Sequence, residues 1–346
     1  MPQSKKSVSN LIEQSDLGKY LLPFLSPTSP GTEYWQSQPS GSLTKRQIGR
    51  ICLQVHQLAE KIIKTKGDQK ISFLDIGTGN GFIPRLLPFF INLKISHGID
   101  PFLDGEHKTS FQKHDRDSEF KNVLGFLIDM CDKKDIFSFN NYASITGNEH
   151  FYSKPLNIKL NLEINNADVY KFFQIGAHHL DKLNFKYDYL YCKGIEHIHD
   201  WQTVFEKAYS VSSDKAVFYL KHKSFFSYLG PHRYGSTGLP WGHLRMTEAE
   251  YDEYILNEFP DRAHSIKKFF YEGLSYPRNT IGQMIKIAAD SGWQLGSVDF
   301  ERSNHIKSFQ TFLFKNNLKI YHQIKSNYDV SIEELLSGLI HITFTK

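Results

Sequence analysis

Residues 75–81 combine an acidic side chain, Asp75, with three glycines at alternate positions, Gly77, Gly79 and Gly81. Glycine has no Cβ, so a turn rich in glycine lets a ligand approach the backbone closely and accepts positive φ angles. The carboxylate of Asp75 can accept hydrogen bonds from a cationic or hydroxyl-bearing ligand. This spacing is typical of a turn that holds a nucleotide-like cofactor.

Histidines form a second group of residues that could carry chemistry. His197 and His199 lie in the sequence EHIHD, and His232 and His243 flank the glycine-rich sequence RYGSTGLPWG. An imidazole with an unperturbed pKa of about 6.5 can accept a proton at neutral pH. We expect the loop between His232 and His243 to bring these two rings to the substrate as catalytic groups. His197 and His199 are further catalytic candidates, with helix capping or surface solvation as the alternative.

The glycine turn needs a strand before it and a helix after it. The apolar run 71–74 predicts a buried strand, and a second apolar segment, 93–100, ends at Asp100 about 20 residues after the turn, where a Rossmann-like unit presents an acid. The strand-like runs 186–193 and 215–223 are separated by a helical pattern. Alternating strands and helices predict an α/β fold with a mostly parallel sheet and helices on both faces.

Three more segments complete the predicted framework. A helix is expected from Thr44 to the region of Gly67, because apolar residues recur there at three- and four-residue spacing. Strict alternation over 158–164 predicts a strand that ends near Asp168. The C-terminal run 339–345 predicts a last strand.

These patterns divide the chain into four predicted parts. Residues 1–43, rich in Pro, Ser and Gly, are expected to form a loop or lid. Residues 44–222 are expected to form the cofactor-binding core, with an insertion at about 102–157. Residues 223–277 are expected to be a second insertion, and 278–346 the C-terminal part of the core sheet.

The order of the motifs FLDIGTGNGFIP, HGID, NNADVYKF and YDYLYCKGIEHIHDW resembles the class I S-adenosylmethionine-dependent methyltransferases. The resemblance covers roughly residues 70–222, with a weaker match towards the C-terminus, and no narrower subfamily is indicated. It implies a doubly wound, seven-stranded Rossmann-like sheet with helical and loop insertions. The last strand of that sheet is antiparallel, and LIHITFTK is the candidate for it. The implied cofactor is S-adenosyl-L-methionine.

The resemblance also implies roles for individual residues. Asp75 would accept from the methionine amino group, Asp100 would hold the ribose hydroxyls, and Asp168 would accept from the adenine amine. Val169 would pack beside the adenine ring. The implied cofactor-binding set is Asp75, Gly77, Gly79, Gly81, Asp100, Asp168, Val169, Lys193 and Gly194.

The acceptor is expected to be a small molecule. No Asn/Asp-Pro-Pro-aromatic signature of amino-methylating nucleic-acid enzymes follows the fourth strand, and EH is similar to the pattern in small-molecule members. The resemblance places an acceptor-binding insertion after the fifth strand, so residues 223–277 are the expected acceptor-binding insertion. Their arginines and aromatic residues favour an anionic acceptor. Oxygen is the expected methylation site, with nitrogen and sulfur left open. A loop folded over its own aromatic core is the alternative for any single residue. The expected acceptor-binding residues are Tyr228, Arg233, Tyr234, Trp241 and Arg245.

Two other functions and a metal were weighed against this interpretation. An NAD(P)-type oxidoreductase would also use a glycine turn, but the usual G-x-G-x-x-G spacing is absent and Pro84 falls in the following helix. A protein that binds S-adenosylmethionine without catalysis is the other alternative. No metal is predicted, because the spacing of His222, His232 and His243 matches no common zinc pattern.

The composition of the chain limits the kinds of binding partner and the cellular location that we expect. Lys and Arg total 41 against 37 Asp and Glu, and the formal net charge of +4 does not favour a nucleic-acid partner. The three cysteines Cys52, Cys131 and Cys192 lack disulfide or metal spacing. No run of about 18 apolar residues occurs, so we expect no membrane partner and a cytoplasmic protein. The sequence leaves the oligomeric state open.

Overall fold

The computed structural model describes residues 43, 45–101, 116–131, 136–137, 158–164, 168–228, 230, 232–235, 237, 241–302, 310, 313–314 and 318–346. The predicted lid at 1–43, apart from Leu43, lies outside the described residues. Most of the insertion predicted at 102–157 lies outside them as well.

The first helix leads directly into the first strand. Helix α1 (Lys45–Lys66) confirms the helix predicted from the spacing of its apolar residues. Val55 and Ile62 are buried on its inner face. Gly67 takes a φ of 63° and its amide bonds back to the last helical turn, which ends the helix. All residues of strand β1 (Ile71–Ile76) are buried, as is typical of a central parallel strand.

The remaining elements alternate in type along much of the chain. The other strands are β2 (Leu93–Ile99), β3 (Ile136–Phe137), β4 (Ile158–Lys159), β5 (Tyr170–Phe173), β6 (Tyr187–Cys192), β7 (Ser212–His222), β8 (Gln294–Arg302) and β9 (Ser337–Thr345). The other helices are α2 (Phe82–Leu86), α3 (Arg116–Asp129), α4 (Trp201–Ser210), α5 (His232–Gly235), α6 (Gly242–Arg245), α7 (Glu248–Glu258), α8 (Ala263–Glu272), α9 (Ile281–Asp290), α10 (Lys319–Lys325) and α11 (Ile332–Leu336). Short 3-10 segments are Leu87–Phe89, Ala177–Lys182, Ile195–His197 and Pro260–Arg262.

Seven strands form one mixed sheet in the order β5-β2-β1-β6-β7-β9-β8. Strand β1 pairs in parallel with both β2 and β6, and β2 pairs in parallel with β5. Strand β9 lies between β7 and β8, so the C-terminal segment supplies a strand of this sheet, as expected. The predicted α/β class, with a doubly wound Rossmann-like sheet of seven strands, is confirmed.

The long strand predicted over 158–164 is wrong. Only Ile158–Lys159 (β4) is extended, and it pairs antiparallel with β3 in a separate two-stranded sheet. Leu160 is buried, and Leu162 and Ile164 pack against the core without joining a strand. Buried and exposed residues therefore alternate here in a loop and not in a strand. The third strand of the large sheet begins only at Tyr170.

A buried carboxylate joins three C-terminal elements. Helix α11 begins at Ser331, whose side chain accepts from the amide of Glu334. The Glu334 carboxylate in turn accepts from the Ile281 amide, at the start of α9, at 3.1 and 3.2 Å, and from the Ser224 hydroxyl. Thr280 caps the same helix with its side chain. The buried Glu334 carboxylate thereby has hydrogen-bond donors on both oxygens.

The described chain divides into two compact units. The first unit contains the described residues within Gln38–Lys193, Lys207–Tyr219 and Thr345–Lys346. The second unit contains those within Gly194–Glu206 and Leu220–Phe344. Of the helices described, none has the length and apolar character needed to cross a membrane.

Candidate functional site

The carboxyl ends of four parallel strands meet at one edge of the sheet in the first unit. Ile76 of β1 pairs with Ile99 of β2 and with Cys192 of β6. Ile99 in turn pairs with Phe173 of β5. Open α/β sheets bind ligands at this edge. The residues that directly follow the four strands are Gly77, Asp100, Gln174 and Lys193.

Hydrogen bonds fix the glycine turn against the end of β2. The amides of Gly77 and Thr78 both donate to the carbonyl of Ile99, at 3.0 and 2.9 Å. The amide of Gly79 donates to Asp100 Oδ2 at 2.9 Å. The turn and the acidic residue therefore form one rigid piece of structure, and these three amides are already used within the protein.

Asp75 is a buried carboxyl group behind the turn. Its side chain accepts from the Thr78 hydroxyl at 2.7 Å, and the residue is 3% exposed. Burial raises the pKa of Asp75 to about 7, with a further rise from the charge of Asp100, opposed by the Thr78 hydrogen bond and Lys193. The carboxyl group is poised to ionise when a cation approaches it.

The glycines of the turn differ in what surrounds them. Gly77, Gly79 and Gly81 all have positive φ values, of 72°, 58° and 74°. A Cβ at Gly81 would lie 2.5 Å from the hydroxyl oxygen of Tyr170, whereas a Cβ at Gly79 would meet nothing within 4 Å. Gly81 is therefore needed for packing against β5, and the backbone at Gly79 is open to a ligand.

The expected placement of Asp168 and Val169 beside the glycine turn requires a correction. Both precede β5, and the carbonyl of Val169 accepts from Ser96 near the middle of β2. Because β5 runs parallel to β2, these residues lie at the amino end of the strand. At about 3.3 Å per residue, the length of β5 separates them from the edge that carries Asp100. The structure does not bring them together with the glycine turn.

The segment 174–177 lies where Asp168 was expected. It follows the carboxyl end of β5, and the side chain of Gln174 donates to the carbonyl of Pro101 at 3.4 Å. A Cβ at Gly176 would meet nothing within 4 Å, so its backbone is open. Sequence reasoning missed this segment. Its sequence FFQIG nevertheless contains the end of an apolar strand followed by a glycine, as LDIGTG does at the end of β1.

Lys193 lies at the same edge of the sheet, directly after β6. Its ammonium donates to Gln54 Oε1 at 2.7 Å, and the Gln54 side-chain amide donates to the Tyr191 hydroxyl at 3.0 Å. This chain of bonds links the end of β6 to α1 and positions a positive charge whose field lowers the pKa of Asp75. The next residue, Gly194, belongs to the second unit.

In the second unit, a buried carboxylate is surrounded by imidazoles; we call Glu196, His197, His222 and His232 the Glu196 cluster. Glu196 Oε2 lies 3.5 Å from His222 Nδ1, and Oε1 lies 3.8 Å from His232 Nε2. The rings of His197 and His232 stack with centroids 5.0 Å apart. Burial alone would raise the pKa of Glu196, but the surrounding imidazoles outweigh it and lower the pKa.

His197 and His199 are held by backbone groups. His197 Nδ1 bonds to the carbonyl of Gly273 at 2.7 Å. His199 accepts from the amide of Tyr276 at Nδ1, at 3.0 Å, and its Nε2 contacts the carbonyl of Glu272 at 3.3 Å. Both ring nitrogens of His199 therefore contact backbone groups. One ring nitrogen of His197 lies within 4.8 Å of possible ligand atoms of Glu196 and His232.

His232 and His243 do not share one environment. His232 has a φ of 58° and lies in the Glu196 cluster, and burial together with the charge of Lys223 lowers its pKa to about 3. His243 Nε2 donates to the carbonyl of Phe225 at 2.8 Å in a buried position, and burial lowers its pKa to about 3 as well. The prediction that both rings form one catalytic pair finds no support in these contacts.

The expected acceptor-binding aromatics contribute to a packed core. Trp241 is fully buried and its Nε1 donates to the carbonyl of Leu335 at 3.1 Å. Tyr228 belongs to the same apolar cluster, and Arg245 Nε donates to Gln323 Oε1 at 3.3 Å. Arg233 and Tyr234 lie in the short helix α5, where the structure describes only their backbone. Gly238 and Pro240, which shape the expected loop, lie outside the described residues.

A small cavity of about 10 Å³ adjoins the Glu196 cluster, roughly the space of one water molecule. Glu196, His222, Ser275 and Arg278 are among its lining residues. The Arg278 guanidinium stacks on Phe225 at 4.3 Å, and burial lowers the pKa of Arg278 to about 10. Sequence reasoning missed Arg278, because a single arginine outside any motif gives no local signal.

Comparison with known proteins gives neither a family nor a curated relative: no family model matches, and no curated protein matches. Solved structures do match. A magnesium protoporphyrin IX methyltransferase from Synechocystis PCC 6803 with bound SAH is 9% identical, with 96% of this chain and 100% of that chain covered and a TM-score of 0.40. A cyclopropane synthase from Mycobacterium tuberculosis is 13% identical, with coverage of 100% and 99% and a TM-score of 0.39. An S-adenosylmethionine-dependent methyltransferase from Mesorhizobium loti is 10% identical, with coverage of 84% and 96% and a TM-score of 0.37. At these values the likeness carries no argument about activity.

Proposed function

We propose that this protein transfers the methyl group of S-adenosyl-L-methionine to a small-molecule acceptor. The observation that carries the proposal is the bond between the Gly79 amide and Asp100, which fixes a carboxylate beside an open glycine turn at the carboxyl edge of a parallel sheet. A carboxylate in this place is suited to a ribose diol, because it accepts hydrogen bonds from both hydroxyls.

The residues around the turn fit the remaining parts of this cofactor. Asp75, with its raised pKa, can ionise beside the methionine ammonium group. The open backbone at Gly79 leaves room for the ligand, and the open backbone at Gly176 suits a flat adenine ring. We therefore assign the adenine neighbourhood to 174–177 instead of Asp168 and Val169. Lys193 is assigned to the methionine end of the cofactor, where a cation can contact the carboxylate.

A dinucleotide is the weaker alternative, and the same turn argues against it. A pyrophosphate needs free backbone amides at the start of a helix. Here the amides of Gly77, Thr78 and Gly79 donate within the protein, and α2 is only five residues long and contains Pro84. A helix this short has a weak dipole at its N-terminus. S-Adenosylmethionine has no phosphate and does not need such a cradle.

For the acceptor, we propose a small molecule that carries an anionic group and is methylated at oxygen. Two cations of the second unit support an anionic partner: Arg278 lines the cavity beside Glu196, and Lys223 lies close enough to His232 to lower its pKa. Methyl transfer requires the acceptor oxygen to be aligned with the sulfonium methyl, so positioning is the main task of the protein.

Formation of S-adenosylhomocysteine tests the proposal. The purified protein is incubated with methyl-labelled S-adenosylmethionine and fractions of a metabolite extract, and label and S-adenosylhomocysteine are measured by mass spectrometry. We expect one fraction to yield a labelled product, and Asp100→Ala to abolish it. A labelled methyl ester would be released by mild alkali, whereas an ether or amine would not.

Two outcomes would replace the proposal. Tight S-adenosylmethionine binding without transfer to any fraction would make the protein a non-catalytic binder. Tighter binding of NADH than of S-adenosylhomocysteine would favour the oxidoreductase.

A further inference from the structure

We propose that Glu196, His197 and His232 form a binding site for one divalent transition-metal ion. A carboxylate oxygen and one nitrogen from each ring lie within 4.8 Å of one another, and Glu196 Oε1 lies 3.8 Å from His232 Nε2. In a tetrahedral zinc site with bonds of about 2.0–2.1 Å, the ligand atoms are roughly 3.3 Å apart. Closing the site requires Glu196 and His232 to approach by about 0.5 Å and any other pair of ligand atoms by at most about 1.5 Å, which side-chain rotation can supply.

The two imidazoles already have the spacing that a shared metal imposes. Their ring centroids are 5.0 Å apart. With a metal–nitrogen bond of about 2.0 Å and a tetrahedral angle, two bound imidazole rings have centroids about 5 Å apart. The distance between the two rings is therefore compatible with a shared metal ion.

Backbone bonding selects the ring nitrogen that His197 presents. Its Nδ1 lies 2.7 Å from the carbonyl of Gly273, an acceptor, so Nδ1 carries the proton. The lone pair is then on Nε2, which is the nitrogen that would bind the ion. Metal-ligating histidines almost always donate their second nitrogen in this way, which fixes both tautomer and orientation.

His222 supports the carboxylate from the other side. Its Nδ1 faces Glu196 Oε2 at 3.5 Å, and the ring is 1% exposed against Trp201. Within the described part of the chain, neither nitrogen of His222 nor Glu196 Oε2 has a hydrogen-bond partner. Buried polar groups rarely stay unsatisfied, and a ligating carboxylate is normally oriented by a hydrogen bond to its second oxygen. A bound cation would draw Glu196 into position and give His222 that role.

The ligand set defines the class of metal. Two imidazole nitrogens and one carboxylate oxygen suit zinc and the later first-row ions, and do not suit calcium, which takes oxygen ligands. Three protein ligands leave coordination positions open, as in catalytic sites. A water molecule or an oxygen atom of a ligand can occupy such a position.

Cobalt binding by the full chain tests the site. Protein stripped with a chelator is titrated with Co²⁺ and followed by visible absorption and calorimetry, with Zn²⁺ as competitor. We expect one Co²⁺ per chain, displaced by Zn²⁺, and a loss of affinity of more than about tenfold in Glu196→Gln and in His232→Ala. The matched control is His264→Ala, an exposed histidine of the same unit, which should bind as the wild type does.

Each result decides the proposal. Absence of stoichiometric Co²⁺ binding by the wild type overturns it, as does unchanged binding in both Glu196→Gln and His232→Ala. If one of these variants does not fold, as judged by circular dichroism, His197→Gln replaces it. S-Adenosylhomocysteine binding is titrated in parallel on the metal-free protein, so that failure of the metal site is distinguished from failure of the cofactor assignment.

Discussion

The amide of Gly79 donates a hydrogen bond of 2.9 Å to the carboxylate of Asp100, 21 positions further along the chain. This bond joins the turn after β1 to the end of β2 and holds the carboxylate in one orientation. Charge-assisted hydrogen bonds of this kind are among the stronger polar contacts in proteins. The local order of the proposed cofactor site therefore exists before any ligand binds, which lowers the entropy cost of binding.

S-Adenosylmethionine should bind more tightly as the pH rises from 6 to 8. Burial raises the pKa of Asp75 from 3.8 to about 7, so the carboxyl group is protonated in part of the free protein. A cationic ligand favours the ionised form, and binding should release a proton below neutral pH. Calorimetry in buffers of different ionisation enthalpy measures this release. Asp75→Asn should bind weakly without proton release, and an identical release in this variant would contradict the assignment.

Gly81→Ala should damage the cofactor turn. The new Cβ would lie 2.5 Å from the Tyr170 hydroxyl at a residue whose φ is 74°, so the Tyr170 side chain, the turn or β5 must shift. The strain of a side chain at this positive φ should lower the free energy of unfolding by about 1–2 kcal/mol and weaken cofactor binding. The control is Gly125→Ala, whose Cβ meets nothing within 4 Å in helix α3 and should stabilise by up to about 1 kcal/mol. Equal effects of the two substitutions on urea unfolding would argue against this account.

Asp168→Ala should leave S-adenosylhomocysteine affinity within about twofold of the wild type, because the residue is exposed at the amino end of β5. Gly176→Leu should weaken binding by about tenfold or more, since its side chain would fill the approach that the backbone now leaves open. Both variants are compared by calorimetry. Strong loss in Asp168→Ala with none in Gly176→Leu would restore the original adenine assignment.

His243→Gln should reduce the loss of stability at acid pH and leave the methyl-transfer rate within about twofold of the wild type. The folded protein keeps His243 neutral, with a pKa lowered from 6.5 to about 3, while the unfolded chain binds a proton below 6.5. His243 therefore costs stability as the pH falls from about 6.5 towards 3. Glutamine removes this titration and keeps a donor for the Phe225 carbonyl. Urea unfolding at several pH values should show a shallower acid loss; a large fall in turnover would instead make His243 catalytic.

Local patterns predicted most of the elements around the glycine turn. The spacing of apolar residues gave α1, and the apolar runs before Gly77 and Asp100 gave β1 and β2, because burial on one side of a regular element leaves a periodic trace. The final strand β9 was also predicted. The parallel sheet follows from the alternation of these elements, since a crossover helix is needed between parallel strands.

The same reasoning failed at 158–164 because alternation is not unique to strands. Leu160, Leu162 and Ile164 turn towards the core from a loop, and only two residues of this segment pair with another strand. Placing the strand too early displaced the expected adenine contact to Asp168, which stands at the wrong end of β5. Strand direction and register depend on pairing with β2, which a single segment cannot reveal.

The Glu196 cluster was beyond sequence reasoning for a different reason. Its members come from the segment after β6, the end of β7 and the start of α5, so no short spacing joins them. From the sequence, His222 and His232 were weighed as metal ligands together with His243, but the His243 ring bonds to the Phe225 carbonyl instead. Clusters built from distant segments become visible only when the chain is folded.

The most direct test of the central claim is calorimetric titration of S-adenosylmethionine into the wild type, Asp100→Ala and Asp100→Asn. Loss of the ribose contacts in Asp100→Ala should weaken binding by about 2–4 kcal/mol, roughly 30- to 1,000-fold. Asparagine can still accept from the Gly79 amide, so Asp100→Asn should preserve the turn and still lose about tenfold or more. Asp214→Ala, an exposed acid of the same unit, is the control and should match the wild type. Wild-type binding that is undetectable, or equal in all four folded proteins, would contradict the assignment of this site to S-adenosylmethionine.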